Sequence, residues 1–296
     1  MGFDISAVNF LFFAKKKNVN FTKTLMLGRH SYQLNAADLQ KCLEKNGRPA
    51  GEAAALLKED PEYVEPFLRS LGAQTVHSMD ASTYENATLV HDLNKPIPDE
   101  WQQQYDLVVD AGTLEHVFNF PQAISNAMQM VKPGGHFLSI QIANNFFGHG
   151  FYQFSPELFY RVLSPENGYV MEQMYFTTTR PFAPWYEVPD PKVVKSRVLL
   201  ENSRQSYLLV LAKKTAHLPL FSTTPQQSDY EFIAWQQEGT QVEKSKGAVQ
   251  SLAAMLPESL KNKIREWRKA IRNKRWQVIT KDSGNGLKDF FRKVNN

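Results

Sequence analysis

Residues 105–141, YDLVVDAGTLEHVFNFPQAISNAMQMVKPGGHFLSIQ, are the stretch on which the fold turns. It opens on an apolar run that stops at Asp110 and Gly112, the pattern of a short buried strand ending in a turn. "FPQAISNAMQMVKPGG" (120–135) then reads as a helix stopped by Pro133 and Gly134. "HFLSIQIA" (136–143) is apolar again and reads as the next strand. Strand, helix and strand in this order predict a parallel pair joined by a helical crossover.

Working outward, the same rhythm continues. "ATLVHDL" (87–93), "QTVHSMD" (74–80) and "KTLML" (23–27) are three more strand candidates upstream. Between the last two lies a long helical stretch that includes "NAADLQKCLEKNG", with Asn35 as N-cap, and "DPEYVEPFLRSLG". Residues 3–17 read as a helix closed by Lys15–Lys17. Downstream, "YVMEQMYFTT" (169–178) and "QSYLLVLAKK" (205–214) supply two further strands as an antiparallel edge, joined by a Pro-rich loop, 180–191. The strands are near-continuously apolar, which suits a sheet covered on both faces. The fold class expected is α/β, a doubly wound and mostly parallel sheet spanning residues 1–215. A linker, 216–250, and a helical tail, 251–296, follow it.

The totals narrow the setting. A chain of 296 residues with one cysteine, Cys42, forms no disulfide within itself and has no thiolate metal site. The early run "VNFLFFAKKK" has its charges after the apolar stretch and is too short to span a bilayer. A soluble, cytoplasmic protein is expected. The net charge of +4 is uneven: residues 241–296 carry 14 Lys/Arg against 5 Asp/Glu, a net +9 that leaves the first 240 residues at −5.

In an open parallel sheet, ligands bind at the carboxyl ends of the strands. The strands end at Gly28, Asp80, Asp92 and Asp110. Three aspartates there can accept hydrogen bonds from ribose hydroxyls, an exocyclic amine or a ligand ammonium group. Alternatively, each caps a turn.

The 105–141 segment resembles the class I S-adenosylmethionine-dependent methyltransferases. Three features in order carry the resemblance: "LEHV" (Leu114–Val117), a helix ending in "VKPGG", and the apolar strand after it. The resemblance implies S-adenosylmethionine as cofactor and assigns Asp80 to its ribose hydroxyls. It sets Asp92 and Leu93 beside the adenine, and Asp110 and Ala111 near the methionine half. It implies no metal.

"LMLGRHSYQL" (25–34) departs from the family pattern. An acidic residue and two more glycines are expected around the first glycine; their places hold Met26, His30 and Tyr32. Either the loop takes another path, with Gly28, Arg29 and His30 meeting the cofactor's carboxylate end, or cofactor binding is lost. A dinucleotide-dependent oxidoreductase fits less well, because a pyrophosphate needs the close backbone approach that glycines allow.

"NNFFGHGFYQFSPELF" (144–159) lies just beyond the 136–143 strand. His149 sits between two glycines and is the expected general base for a hydroxyl acceptor, with His116 and Glu115 as further candidates. Ser155 and Pro156 open a helix as N-cap and first residue. Trp185 and Tyr186 suit either stacking on a ring-shaped ligand or plugging the core.

Leu256, Leu260, Ile264, Trp267 and Ile271 fall on one face of a basic helix over 255–276. That pattern suits docking on a membrane surface or a protein, or packing on its own domain. Nucleic acid is not an expected partner. The function expected is methyl transfer to a small-molecule or glycan-type acceptor, near the inner membrane surface. The rival is a non-catalytic scaffold that kept the fold and lost the cofactor.

Overall fold

The computed structural model describes residues 2–194, 197–228, 230, 293 and 294. The expected linker lies largely outside the described residues and the basic tail helix entirely so. The chain divides into two compact units: residues 1–188, 204–225 and 293–296 form one, and residues 189–203 and 226–292 the other.

The first unit is built on a mixed sheet. In chain order its elements begin with β1 (Gly2–Phe3), α1 (Ile5–Lys16), β2 (Lys23–Leu27), β3 (Ser31–Tyr32), α2 (Ala36–Lys45), α3 (Glu52–Glu59) and α4 (Glu65–Ser70). They continue with β4 (Thr75–Asp80), β5 (Leu89–Val90), β6 (Tyr105–Asp110), α5 (Phe120–Met130), β7 (Val131–Ile142), α6 (Pro156–Val162), β8 (Tyr169–Thr178) and β9 (Trp185–Glu187). In the second unit the described helix is α7 (Pro191–Val194), where Asp190 accepts the Lys192 N–H at 2.8 Å. The first unit resumes with β10 (Ser206–Lys214) and β11 (Lys293–Val294).

The large sheet runs β11-β9-β8-β10-β7-β6-β2-β4-β5. The block from β7 to β5 is parallel throughout, as the strand–helix–strand rhythm predicts. From β7 outward every pairing is antiparallel, with β10 inserted between β7 and β8. The antiparallel part is therefore wider than an edge.

Side-chain alternation shows why both faces are covered. Met26, Leu107, Val109, Leu138, Ile140, Leu209 and Leu211 point into one core with α1 to α4. Leu25, Leu27, Val108, Phe137, Leu208 and Val210 fall at the alternate positions and are equally buried. The sheet is doubly wound.

Several boundaries differ from the sequence reading. Phe3 belongs to a short strand paired with β3, and α1 starts only after Asp4, whose carboxylate accepts the Ala7 N–H at 2.9 Å as N-cap. Asn35 caps α2 as expected, through the Asp38 N–H at 2.9 Å. The 87–93 strand shrinks to two residues, because Asp92 closes a turn on the Asn94 N–H at 3.0 Å. The "LEHV" segment is one 3₁₀ turn, Leu114–His116. α5 ends at Met130, three residues before Pro133, and the chain enters β7 at once. The Pro-rich loop contains β9, and Trp185 there is a core plug packed against Phe10, Phe13 and Tyr175. Ser155 precedes α6 without a side-chain capping bond. Among the described residues no helix is long and apolar enough to cross a membrane.

Candidate functional site

The topology chooses the site. β2 lies in the centre of the parallel block, and the chain builds outward from it through β4 and β5 on one side, then β6 and β7 on the other. Strand order thus reverses between β2 and β6, and the crevice outside their carboxyl ends is where such sheets bind ligands. Gly28, Asp80, Asp92 and Asp110 all lie at this end of the sheet, since the strands they close are parallel.

At the end of β2, Gly28 has φ +80°, a conformation that favours glycine, and a Cβ there would stand 2.8 Å from Thr113 Oγ1. Two hydrogen bonds span the crevice. Thr113 Oγ1 donates to the Leu27 carbonyl at 2.6 Å, and the Ala111 N–H donates to His30 Nε2 at 3.3 Å. His30 is fully buried, its ring 5.4 Å from that of Phe3. Arg29 is engaged within the protein. It pairs with Glu65 at 2.7 Å, donates to the Glu85 carbonyl at 2.9 Å and stacks over Tyr63 at 3.8 Å. Tyr32 is partly buried against the core.

The aspartates differ in how far they are committed. Asp80 accepts the Ser82 N–H at 3.1 Å. Asp92 accepts the Asn94 N–H and side-chain amide at 3.0 and 2.8 Å, and these bonds hold its carboxyl below the usual range. Leu93, beside it, is buried and its carbonyl receives the Asn126 side-chain amide at 3.1 Å. Asp110 is fully buried and accepts from the Thr113 N–H at 2.9 Å, the Ser139 hydroxyl at 3.1 Å and the Gln141 amide. Burial nevertheless pushes its carboxyl up to about 6.

Just past Asp110 the 3₁₀ turn presents Glu115 and His116, and the 144–153 loop brings His149 against them. One ligating atom from each of the three lies within 4.8 Å of the others, the one such trio of His, Cys, Asp or Glu among the described residues. Glu115 is completely buried, and neither of its carboxylate oxygens has a hydrogen-bond partner among the described residues. Its Oε1 lies 4.0 Å from His149 Nε2, an atom that is also buried and has no hydrogen-bond partner among the described residues. Burial first, and the charge of Asp110 second, push Glu115 up to about 8. The His116 and His149 rings stand 5.0 Å apart, and burial together with His149 pushes His116 down.

The loop is pinned to the turn through its backbone. The Phe151 and Tyr152 N–H groups donate to the Glu115 carbonyl at 2.8 and 3.3 Å, and Gly150, at φ +68°, would put a Cβ 2.8 Å from the same oxygen. Phe146 seats the His149 ring at 5.7 Å and stacks on Tyr207 at 5.5 Å. Phe147, Phe118 and Phe151 are exposed around this end.

The structure thus gathers His149, His116 and Glu115 in one cluster, and the strand-end residues along the same edge of the sheet. Reading the sequence did not find Thr113, Glu65, Ser139 or Gln141, which hold the Gly28 loop, Arg29 and Asp110. For Gln141 a signal existed: a polar residue in an apolar strand must find a buried partner.

The family model described as "Methyltransferase domain" matches residues 51–139, a span from the residue ahead of α3 to the middle of β7. A search of curated proteins by sequence returns no match. Among solved structures, the chain is similar to a branched-chain polyamine synthase from Thermus thermophilus, at 15% identity and TM-score 0.39. That likeness covers 74% of this chain and 59% of the synthase, less than two thirds of the latter's length. The chain is also similar to a 1,6-didemethyltoxoflavin-N1-methyltransferase from Burkholderia thailandensis, at 12% identity and TM-score 0.39, covering 72% and 80%. A third likeness is to a methyltransferase, itself described as putative, from Bacillus halodurans, at 11% identity and TM-score 0.37, covering 73% and 100%. Residues 51–139, 89 of the chain's 296, are thus similar to a methyltransferase domain.

Proposed function

We propose that the protein transfers the methyl group of S-adenosylmethionine to a hydroxyl of a small-molecule acceptor. One observation carries this reading: the strand-order reversal between β2 and β6 has strand-end carboxylates on its cofactor side and, beside it, the buried Glu115 gathered with His116 and His149. Asp80, the least committed of the three aspartates, takes the ribose hydroxyls, while Asp92 and Leu93 flank the adenine. Asp110 and Ala111 lie toward the methionine half. That half reaches the Ala111 N–H once its long bond to His30, 3.3 Å, gives way. Arg29 stiffens the first loop through Glu65 and does not contact the cofactor.

Methyl transfer is an in-line displacement, so the protein mainly aligns donor and acceptor. The acceptor oxygen attacks the sulfonium methyl carbon, the S–CH₃ bond breaks as the O–CH₃ bond forms, and S-adenosylhomocysteine leaves. The hydroxyl proton passes to the cluster of Glu115, His116 and His149 as the O–CH₃ bond forms. The buried Glu115 carboxyl oxygens and His149 Nε2, without hydrogen-bond partners among the described residues, support that role, and the exposed His116 beside them leaves the cluster open to an acceptor.

The test is a panel assay with methyl-labelled S-adenosylmethionine and hydroxylated small molecules, reading label on the acceptor. The expected result is transfer that falls by about 10² or more in His149→Ala, the scale of a lost acid–base or activating group. Label that appears only on nitrogen or carbon acceptors overturns the hydroxyl assignment.

A further inference from the structure

We propose that Glu115, His116 and His149 form a binding site for one first-row divalent transition cation of the zinc class. This goes beyond methyl transfer and departs from the metal-free site implied by the family resemblance. It stands on the geometry of the cluster alone.

Three features support it. The donor set is two imidazoles and one carboxylate, with one atom from each within 4.8 Å of the others. Imidazole selects zinc, iron, cobalt or nickel over magnesium and calcium, which take all-oxygen sites. Glu115 is completely buried, and both its oxygens lack a partner among the described residues. An unpaired buried carboxylate is costly, and a bound cation removes that cost. Finally, His149 Nε2 is buried, unpartnered and 4.0 Å from Glu115 Oε1, so the two orphaned groups face each other.

The spacing is that of an open site. Ligand atoms about 2.0–2.2 Å from a tetrahedral zinc stand roughly 3.3 Å apart, so the cluster must close by up to about 1.5 Å. His149 is the group placed to move, since it is flanked by Gly148 and Gly150, both at positive φ. Glu115 is fixed, because its own carbonyl anchors the loop through the Phe151 N–H. Three protein ligands leave a fourth position for water or an acceptor oxygen. A hydroxyl bound there would lose its proton to solvent at a lower pH, which is how a cation would activate an acceptor.

The test uses the full chain, stripped with a chelator and titrated with Co²⁺, then Zn²⁺, in the absence of S-adenosylmethionine. The expected result is one Co²⁺ per chain with a visible d–d band, displaced by one Zn²⁺. His149→Ala and Glu115→Gln should each weaken the affinity by about tenfold or more. His217→Ala, an exposed histidine outside the cluster, should leave it unchanged. Thermal unfolding checks that each variant is folded, and His149, on an exposed loop, is the variant expected to fold without difficulty. No band and no heat at millimolar metal overturns the site, as does binding that survives both substitutions. Because no cofactor is present, failure here is distinct from failure of the methyl-transfer reading.

Discussion

At the scale of single residues, the proposed chemistry rests on the cluster of Glu115, His116 and His149, and part of that cluster is open to sequence reasoning. Glu115 and His116 are neighbours in "LEHV", and a histidine between two glycines invites attention. Their convergence depends on Gly150, whose lack of a Cβ lets the loop reach the Glu115 carbonyl. Gly150→Ala should therefore cost about 1–3 kcal/mol, the scale of a strained non-glycine conformation, read as a lower urea midpoint. An unchanged midpoint would mean the loop does not rest on that carbonyl. The fate of Arg29 and His30 is not legible in the sequence. Their partners, Glu65 and Ala111, stand 36 and 81 residues away in the chain, and no local pattern announces pairs of that separation. Removing Arg29 by Arg29→Met should cost about 1–3 kcal/mol, because it leaves the mostly buried Glu65 carboxylate without its charged donor. Its effect on cofactor affinity should be small by comparison. A titration that shows cofactor affinity lost with stability intact would return Arg29 to the cofactor.

At the scale of elements, strands read well where apolar runs are long and uninterrupted. β2 and β8 match their expected limits, and β6 and β10 differ only at their ends. β5 falls short because Asp92 turns the chain on the Asn94 N–H, while Thr88 meets β4 through its side chain, its hydroxyl accepting the Ser78 N–H at 3.2 Å, so the pairing is cut to two residues. The end of α5 departs from the sequence reading for a different reason. Pro133 looks like the stop signal, yet the helix is closed three residues earlier by Lys214 from β10. Its buried ammonium donates to the Met128 and Val131 carbonyls at 2.9 and 2.7 Å, satisfying groups that a helix end leaves open. Lys214→Met should cost about 1–3 kcal/mol, since it takes this donor from the buried Val131 carbonyl and leaves the Met128 carbonyl with the Tyr169 hydroxyl, at 2.6 Å. The same group predicts a pH effect. Burial pushes the Lys214 ammonium down to about 8 from 10.5, so between those values the unfolded chain holds the extra proton. The stability of the wild type should then rise relative to Lys214→Met as pH goes from 8 to 10.5. Denaturation curves of the two proteins across that range would show it, and a constant gap would contradict it.

At the scale of the whole molecule, alternating strands and helices are enough to place five parallel strands and to point to one edge of the sheet. They are not enough to predict that β10 inserts between β7 and β8. Two apolar strands late in the chain fit that sheet in more than one order, and only their packing selects among them. The order matters for function because it leaves the β2–β6 reversal central, with the ends of four parallel strands around it. Whether that crevice accepts S-adenosylmethionine, despite the His30 and Thr113 bonds across it, is the central question. Calorimetric titration of the full chain with S-adenosylmethionine and S-adenosylhomocysteine answers it most directly. Saturable micromolar binding of one ligand per chain is expected, weakened about tenfold or more by Asp80→Ala. No heat and no thermal stabilisation at millimolar ligand would contradict it.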